Sequence, residues 1–245
     1  MKTPPFMIPA ACALAGAAAL LFTQAGCDRK PEDKSAKIKV LEAGAEALQS
    51  EAPIASIHAH VCGFHFYSGD MGRQVISHHY CSHLGEDMRQ CVIYDSDKKD
   101  AKLIGIEYII SAKLFATLPE DEKKLWHSHV HEVKSGQLIA PRLPEAAEKE
   151  LMEELVGTYG KTWHTWQVDR GDNLPLGIPQ LMMGFTADGQ ANPSIVSARD
   201  QGYGISSEER KGKRAGIPAP VIAPGADAWQ QGRAIQLQAA EVEAK

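Results

Sequence analysis

The sequence predicts an α+β fold: one domain with a mainly antiparallel sheet, flanking short helices and an extended C-terminal tail. Three observations carry this. Residues 57–68 and 127–133 alternate in the period-two manner of half-buried strands. Residues 91–94 and 103–110 are apolar strands joined by the polar turn 95–100, which reads as a hairpin. Between these lie short stretches with apolar residues at helical spacing, too brief for a helical bundle.

Taken in order, residues 1–27 read as a signal peptide ending in a lipidation box. Lys2 is the only charge before Asp28, residues 10–22 are apolar, and Ala25-Gly26 precede Cys27. The apolar run falls short of the roughly 20 residues a spanning helix needs. Gln24 stands where lipidation boxes usually carry an aliphatic residue, and cleavage after Ala25 is the alternative. Residues 28–50 form a charged tether and a short amphipathic helix with Ile38, Leu41, Ala45 and Leu48 on one face.

Residues 51–186 form the core. Strand 57–68 presents Ile57, Ala59, Val61 and Gly63 on one face, and His58, His60, Cys62, Phe64 and Phe66 on the other. Residues 73–88 are expected to be a helix, since Ile76, Tyr80, Leu84 and Met88 recur at every fourth position. After the hairpin, Thr117 and Glu120 have capping-box spacing for a helix running to Trp126. The alternating segment 127–133 leads through Gly136 to Leu138-Ile139. A helix over 145–159 buries Leu151, Met152, Leu155 and Val156, turns its glutamates outward and stops at Gly160. Strands 163–168 and 180–186 complete the core. Residues 187–245 are rich in Gly and Pro and are expected to wrap the core in extended form, burying Trp229, Ile235 and Leu237.

The net charge is −5, and no basic patch interleaves with aromatics, which excludes nucleic acid as a partner. Of Cys62, Cys81 and Cys91, two can pair in an oxidising compartment, and the sequence does not choose which; all three also suit a buried apolar site. A thiol nucleophile would be Cys62 or Cys81.

All ten histidines fall between His58 and His164. Imidazole is the commonest metal-ligating side chain. Zinc requires donors at about 2.0–2.3 Å in a tetrahedron, which alternate strand residues such as His58/His60 or His127/His129 can satisfy. On the expected helix, His79 and His83 face one way. These six are the candidate ligands for zinc or another divalent transition metal. Glu107 interrupts the apolar strand 103–110; it is a fourth ligand or general base if it faces the histidines, and an aggregation guard if its strand is an edge. The alternative for the whole cluster is a hydrogen-bonded imidazole network without an ion, and His65 and His164 are read as structural.

Several long runs resemble the oil body-associated protein family. They include His60-Val-Cys-Gly-Phe-His-Phe-Tyr-Ser-Gly-Asp70, His78-His-Tyr-Cys-Ser-His83, Leu125-Trp-His-Ser-His129, Trp166-Gln-Val-Asp-Arg-Gly-Asp172 and Pro175-Leu-Gly-Ile-Pro-Gln-Leu-Met-Met183. The resemblance extends from about Val40 to Leu237 and implies lipid-droplet association for the plant members. The exported type of N-terminus departs from the plant pattern. The combined expectation is an exported periplasmic or envelope protein, held on a membrane by an acyl chain at Cys27 and acting at a lipid surface without catalysis. The alternative is a metal-binding protein, with a metal-dependent hydrolase as its enzymatic form. Intact mass tests the first: a chain beginning at Cys27 with a diacylglycerol adduct is expected, and one beginning at Gly26 overturns it.

Overall fold

A computed structural model describes residues 34–244. The leader, the lipidation box and Cys27 lie outside this range. The described residues fall into two units, divided between Ala47 and Leu48. Helix α1 (Ala36–Leu48) accounts for the described part of the first; it forms where expected and buries none of its residues. Among the described residues no helix is long and apolar enough to cross a membrane.

The second unit is built on a closed antiparallel barrel. Strands β1 (Ala59–Tyr67), β2 (Asp70–Gly85), β3 (Met88–Tyr94) and β4 (Leu103–Ser111) form a meander, and β6 (Thr158–His164) pairs with β4 on its far side. Strand β7 (Gln180–Met183) then joins β6 to β1 and closes the ring. The two-residue strand β5 (His127–Ser128) takes the edge of β6 that β7 leaves free, pairing His127 with Gly160 and Ser128 with Tyr159. The predicted mixed α+β domain with an antiparallel sheet is therefore correct, and the sheet closes on itself through the β4–β6 and β1–β7 pairings.

Inside the barrel three layers succeed one another. One end is closed by Tyr67, Val75 and Met182, with Val168 packed beneath. The other end holds Val61, Cys81, Cys91 and Ile109 and is plugged by Leu138, Met152 and Leu155. Polar side chains occupy the level between. Outside, Phe64, Phe66, Leu181 and Met183 are covered by α7 (Pro193–Tyr203) and by Trp229 of the tail.

Several local expectations are corrected. Residues 73–88 are not a helix but most of the long strand β2. A four-residue spacing is shared by the helical and strand periods; the alternate residues Val75, Ser77, His79 and Cys81 are buried, facing the barrel interior, while Leu84 of the stripe is exposed. Thr117 ends helix α3 (Ala112–Ala116) rather than starting one, and the following helix α4 is only Glu120–Lys123. The alternation over 127–133 stops at Ser128, after which α5 (Val130–Lys134) turns the chain; Ile139 makes an isolated bridge to Cys62. Helix α6 (Glu145–Leu155) stops short of 159, and Gly160 lies within β6. The segment from 187 carries α7 and α8 (Ser207–Lys213) before it becomes extended.

Cys81 and Cys91, directly opposite on β2 and β3, form a disulfide, and Cys62 is free and buried. Burial pushes the Cys62 thiol up to about 11, so neither cysteine is a nucleophile at neutral pH.

Helix α6 does not turn all its glutamates outward. Glu148 is buried, accepts from the Ala140 amide, and pairs with Arg214 at 3.2 Å and with Arg210. Removing one partner of a buried pair strands the other charge, at about 3–5 kcal/mol. Glu148→Leu is expected to lower stability by that amount in urea unfolding; a change within 0.5 kcal/mol, roughly a surface substitution, would refute the pairing.

A buried histidine and carboxylate centre

Glu107 sits at the middle of β4, paired on one side with Cys91 and on the other with Thr162, so its strand is not an edge. Its side chain is 2% exposed and points into the barrel. Four imidazoles approach it. His79 Nε2 lies 2.7 Å from Oε2, and His65 Nε2 lies 3.7 Å from the same oxygen. His129 Nε2 is 3.2 Å from Oε1 and His127 Nε2 is 3.6 Å from it. His164 forms a further shell, its Nε2 3.3 Å from His65 Nδ1.

Each ring arrives for a local reason. His65 and His79 occupy inward positions of β1 and β2, two residues along from Gly63 and Ser77 on the same faces. His127 is the inward residue of β5 opposite Gly160. His129 follows where the strand breaks; its backbone (φ −88°, ψ 1°) begins α5, and this bend brings its ring beside that of His127. The same helix places Glu132, 5% exposed, next to them.

Of the six predicted ligands, His79, His127 and His129 converge on Glu107. His58 and His83 do not: both are exposed, and their rings stack on each other outside the barrel. His60 faces outward too, stacking on Tyr80 and lying 3.2 Å from His78. His65, His164 and Glu132 take their places in or beside the centre. The signal for His65 was its shared parity with Val61 and Gly63; for His164, its position at the end of a strand paired with β4.

The groups crowd one place with more ligating atoms than they can pair. His127 finds no hydrogen-bond partner at either ring nitrogen, Glu132 Oε1 finds none, and His79 has only its 2.7 Å contact with the Glu107 carboxylate. A Cβ built on Gly160 would meet Glu107 Oε1 and lie 2.8 Å from both His127 Nε2 and His129 Nε2. The absent side chain thus leaves a small space ringed by three donor atoms. The donor sets His65–Glu107–His127 and His127–His129–Glu132 each fall within 4.8 Å. Ligands of a tetrahedral ion with bonds of about 2.0–2.1 Å stand about 3.3–3.4 Å apart, close to the 3.6 and 3.2 Å that separate His127 Nε2 and His129 Nε2 from Glu107 Oε1.

Tautomers sharpen the point. The Thr158 hydroxyl donates to Leu155 O at 2.7 Å, so its oxygen accepts from His129 Nδ1 at 2.8 Å. With the Nδ1 proton engaged, neutral His129 turns a lone pair toward the Glu107 carboxylate. Two acceptors facing each other require a cation between them, either a second proton or a metal ion.

Burial alone would raise the Glu107 carboxyl, but the adjoining His79, His129 and His127 hold it well below the usual carboxylate range. Burial keeps His65 neutral, and lowers His127 and His164 to about 3. Glu132 goes the opposite way: burial, then Glu107 and Asp227, push it well above the carboxylate range. The centre therefore combines one anionic and one protonated carboxyl with the neutral imidazoles of His65, His127 and His164. Beside it is a cavity of about 10 Å³ lined by His65, His79, Glu107, His129 and Glu132, room for one water and for no organic substrate.

Residues 51–218 match the family described as "Protein of unknown function (DUF1264)". The chain is 46% identical over 206 residues to oil body-associated protein 1B of Arabidopsis thaliana, covering 84% of this chain and 86% of that protein. It is 49% identical over 199 residues to oil body-associated protein 2A of Zea mays, covering 80% and 79%. Oil body-associated protein 2C of Arabidopsis thaliana is 46% identical over 209 residues, covering 84% and 88%. The chain belongs to the oil body-associated protein family. No solved structure matches it.

The histidine titrations carry a pH dependence. His127 and His164 are neutral when folded, down to about 3, whereas in the unfolded chain they take up protons below 6.5. The unfolded state then binds more protons, so stability is complete above about 6.5 and falls as pH drops toward 3, by up to about 1.4 kcal/mol per pH unit per histidine. Urea midpoints are expected to decline between about pH 7 and pH 5; a flat or rising profile would contradict neutral burial.

Proposed function

We propose that this chain is a non-enzymatic metal-binding member of the oil body-associated family, its barrel holding one divalent first-row transition ion, zinc or a similar metal. The observation that carries this is the convergence of Glu107 Oε1, His127 Nε2 and His129 Nε2 around the space beside Gly160, deep in the barrel. His65 and His79 complete the nitrogen-rich set on the other carboxylate oxygen. Imidazole with carboxylate suits zinc, iron, copper or nickel better than calcium or magnesium, which prefer all-oxygen shells. The cavity beside Glu107 favours holding an ion over turning over an organic substrate, so the hydrolase alternative gains no support.

The lipid-surface reading stands beside this one and does not compete with it. The relatives are named for oil bodies, and Cys27 ends a leader of lipoprotein type. Acyl chains contribute about 0.8 kcal/mol per buried methylene, so a multiply acylated Cys27 would hold the protein to an envelope membrane with no lipid-binding surface on the barrel. Helix α6 is acidic on its outer face and is a poor match for anionic lipid.

Elemental analysis of untagged protein, refolded with zinc and dialysed, is expected to give about one ion per chain, and at free metal 100-fold above Kd a stabilisation of about 2.7 kcal/mol. Glu107→Gln and His129→Ala should each weaken binding about 10–100-fold, while His58→Ala and His83→Ala leave it unchanged. Gly160→Ala, which its strand backbone tolerates, should abolish binding by filling the space. A protein that takes up no ion and is equally stable with and without metal would leave the histidines as a hydrogen-bonded network only.

A further inference from the structure

The segment that carries His127 and His129 is thinly supported by the barrel itself. Strand β5 is two residues long and pairs only with β6, and the His129 amide adds one hydrogen bond to Thr158 O at 3.2 Å. Its other edge meets the C-terminal tail, which follows the family model's match over residues 51–218.

The tail reaches this edge through Asp227. The Ser128 amide, between the two histidines, donates to Asp227 Oδ1 at 3.1 Å, and the Asp227 amide donates to Trp126 O at 3.0 Å. Together these replace the hydrogen bonds a neighbouring strand would have made. Asp227 is 3% exposed and has a left-handed backbone (φ 52°), shared among described non-glycine residues only with Arg142. Asp is among the few side chains that tolerate this conformation, and a buried residue held in it is over-determined by its surroundings. The flanks are fastened separately: the Ala223 amide donates to Tyr159 Oη at 2.8 Å, Trp229 packs edge-on against Phe66, and Gln236 bonds Ser68 O and Leu181 N and O.

We infer that Asp227 is a positioning residue for the ion-binding centre, and that the tail 219–237 is a strap holding the His127–His129 segment in its ligating geometry. This rests on the metal reading above. The carboxylate oxygen is the part that matters, because it holds the amide between the two ligands; the amide oxygen of Asn can take its place.

The test compares Asp227→Ala with Asp227→Asn in the full chain. Cobalt(II) replaces the native ion as a probe, with affinity read by competition against a chromophoric chelator. Asp227→Ala is expected to weaken cobalt binding at least about tenfold and to alter its visible absorption bands, with Asp227→Asn restoring both to near wild type. Unchanged affinity and spectrum in Asp227→Ala would overturn the inference.

Amide hydrogen exchange on metal-free protein separates this from the metal reading. Loss of protection at Ser128 with Ile93 on β3 unaffected supports the strap even if wild type binds no cobalt. Unchanged protection at Ser128, or an equal loss at both amides, overturns it.

Discussion

A carboxylate stripped of water in the middle of a barrel must be compensated from the barrel wall. Taking such a group out of water costs several kcal/mol even after the surroundings relax. Here Glu107 is met by imidazoles from β1, β2, β5 and the start of α5, so the charge is answered by groups from distant parts of the chain. The rest of the interior follows from that arrangement. A small barrel fills its lumen with side chains, and a level holding several rings leaves little space for others. Gly160 and Gly184 stand where a Cβ would strike Glu107 or Glu132. Apolar layers seal both ends, which keeps the local dielectric low and makes every polar contact at the centre count for more.

The antiparallel architecture was legible because its main signals are local. The hairpin of β3 and β4 could be read from two apolar runs and a polar turn, and Glu107 stood out as a charge within one of them. His127 and His129 could be paired from alternation alone, although what brings them together is a bend after Ser128. The error over β2 had a definite cause. A stripe at every fourth residue fits both a helix and a strand, and the polar residues between are buried only because the sheet closes into a ring. Closure is a long-range property with no local signature. For the same reason His65 and His164 read as ordinary packing residues. Each acquires its role from a strand partner far away in sequence, His65 facing Glu107 on β4 and His164 paired with Gly105.

Family membership and the barrel centre bear on different layers of function. The matched region, residues 51–218, contains every strand of the barrel and all the residues around Glu107. Association with oil bodies, which the relatives' names state of those proteins, would concern the outside of a molecule. An acyl anchor at Cys27 would make no demand on the interior, and an ion in the interior would make none on the surface. The two readings therefore combine without conflict, and the barrel can serve as a rigid core whose interior chemistry is insulated from whatever lies against its exterior.

Closing the ring joins Phe66 of β1 to Met183 of β7, partners separated by most of the domain. Contacts of such separation form late, since the entropy of looping the intervening chain must be overcome before they contribute. Until β7 pairs with β1 and β6 the ring is open on that side, so the Glu107 carboxylate loses its water only when this last strand docks. Assembly of the centre is thus tied to the most distant pairing in the barrel, and an ion taken up there would be enclosed by that strand.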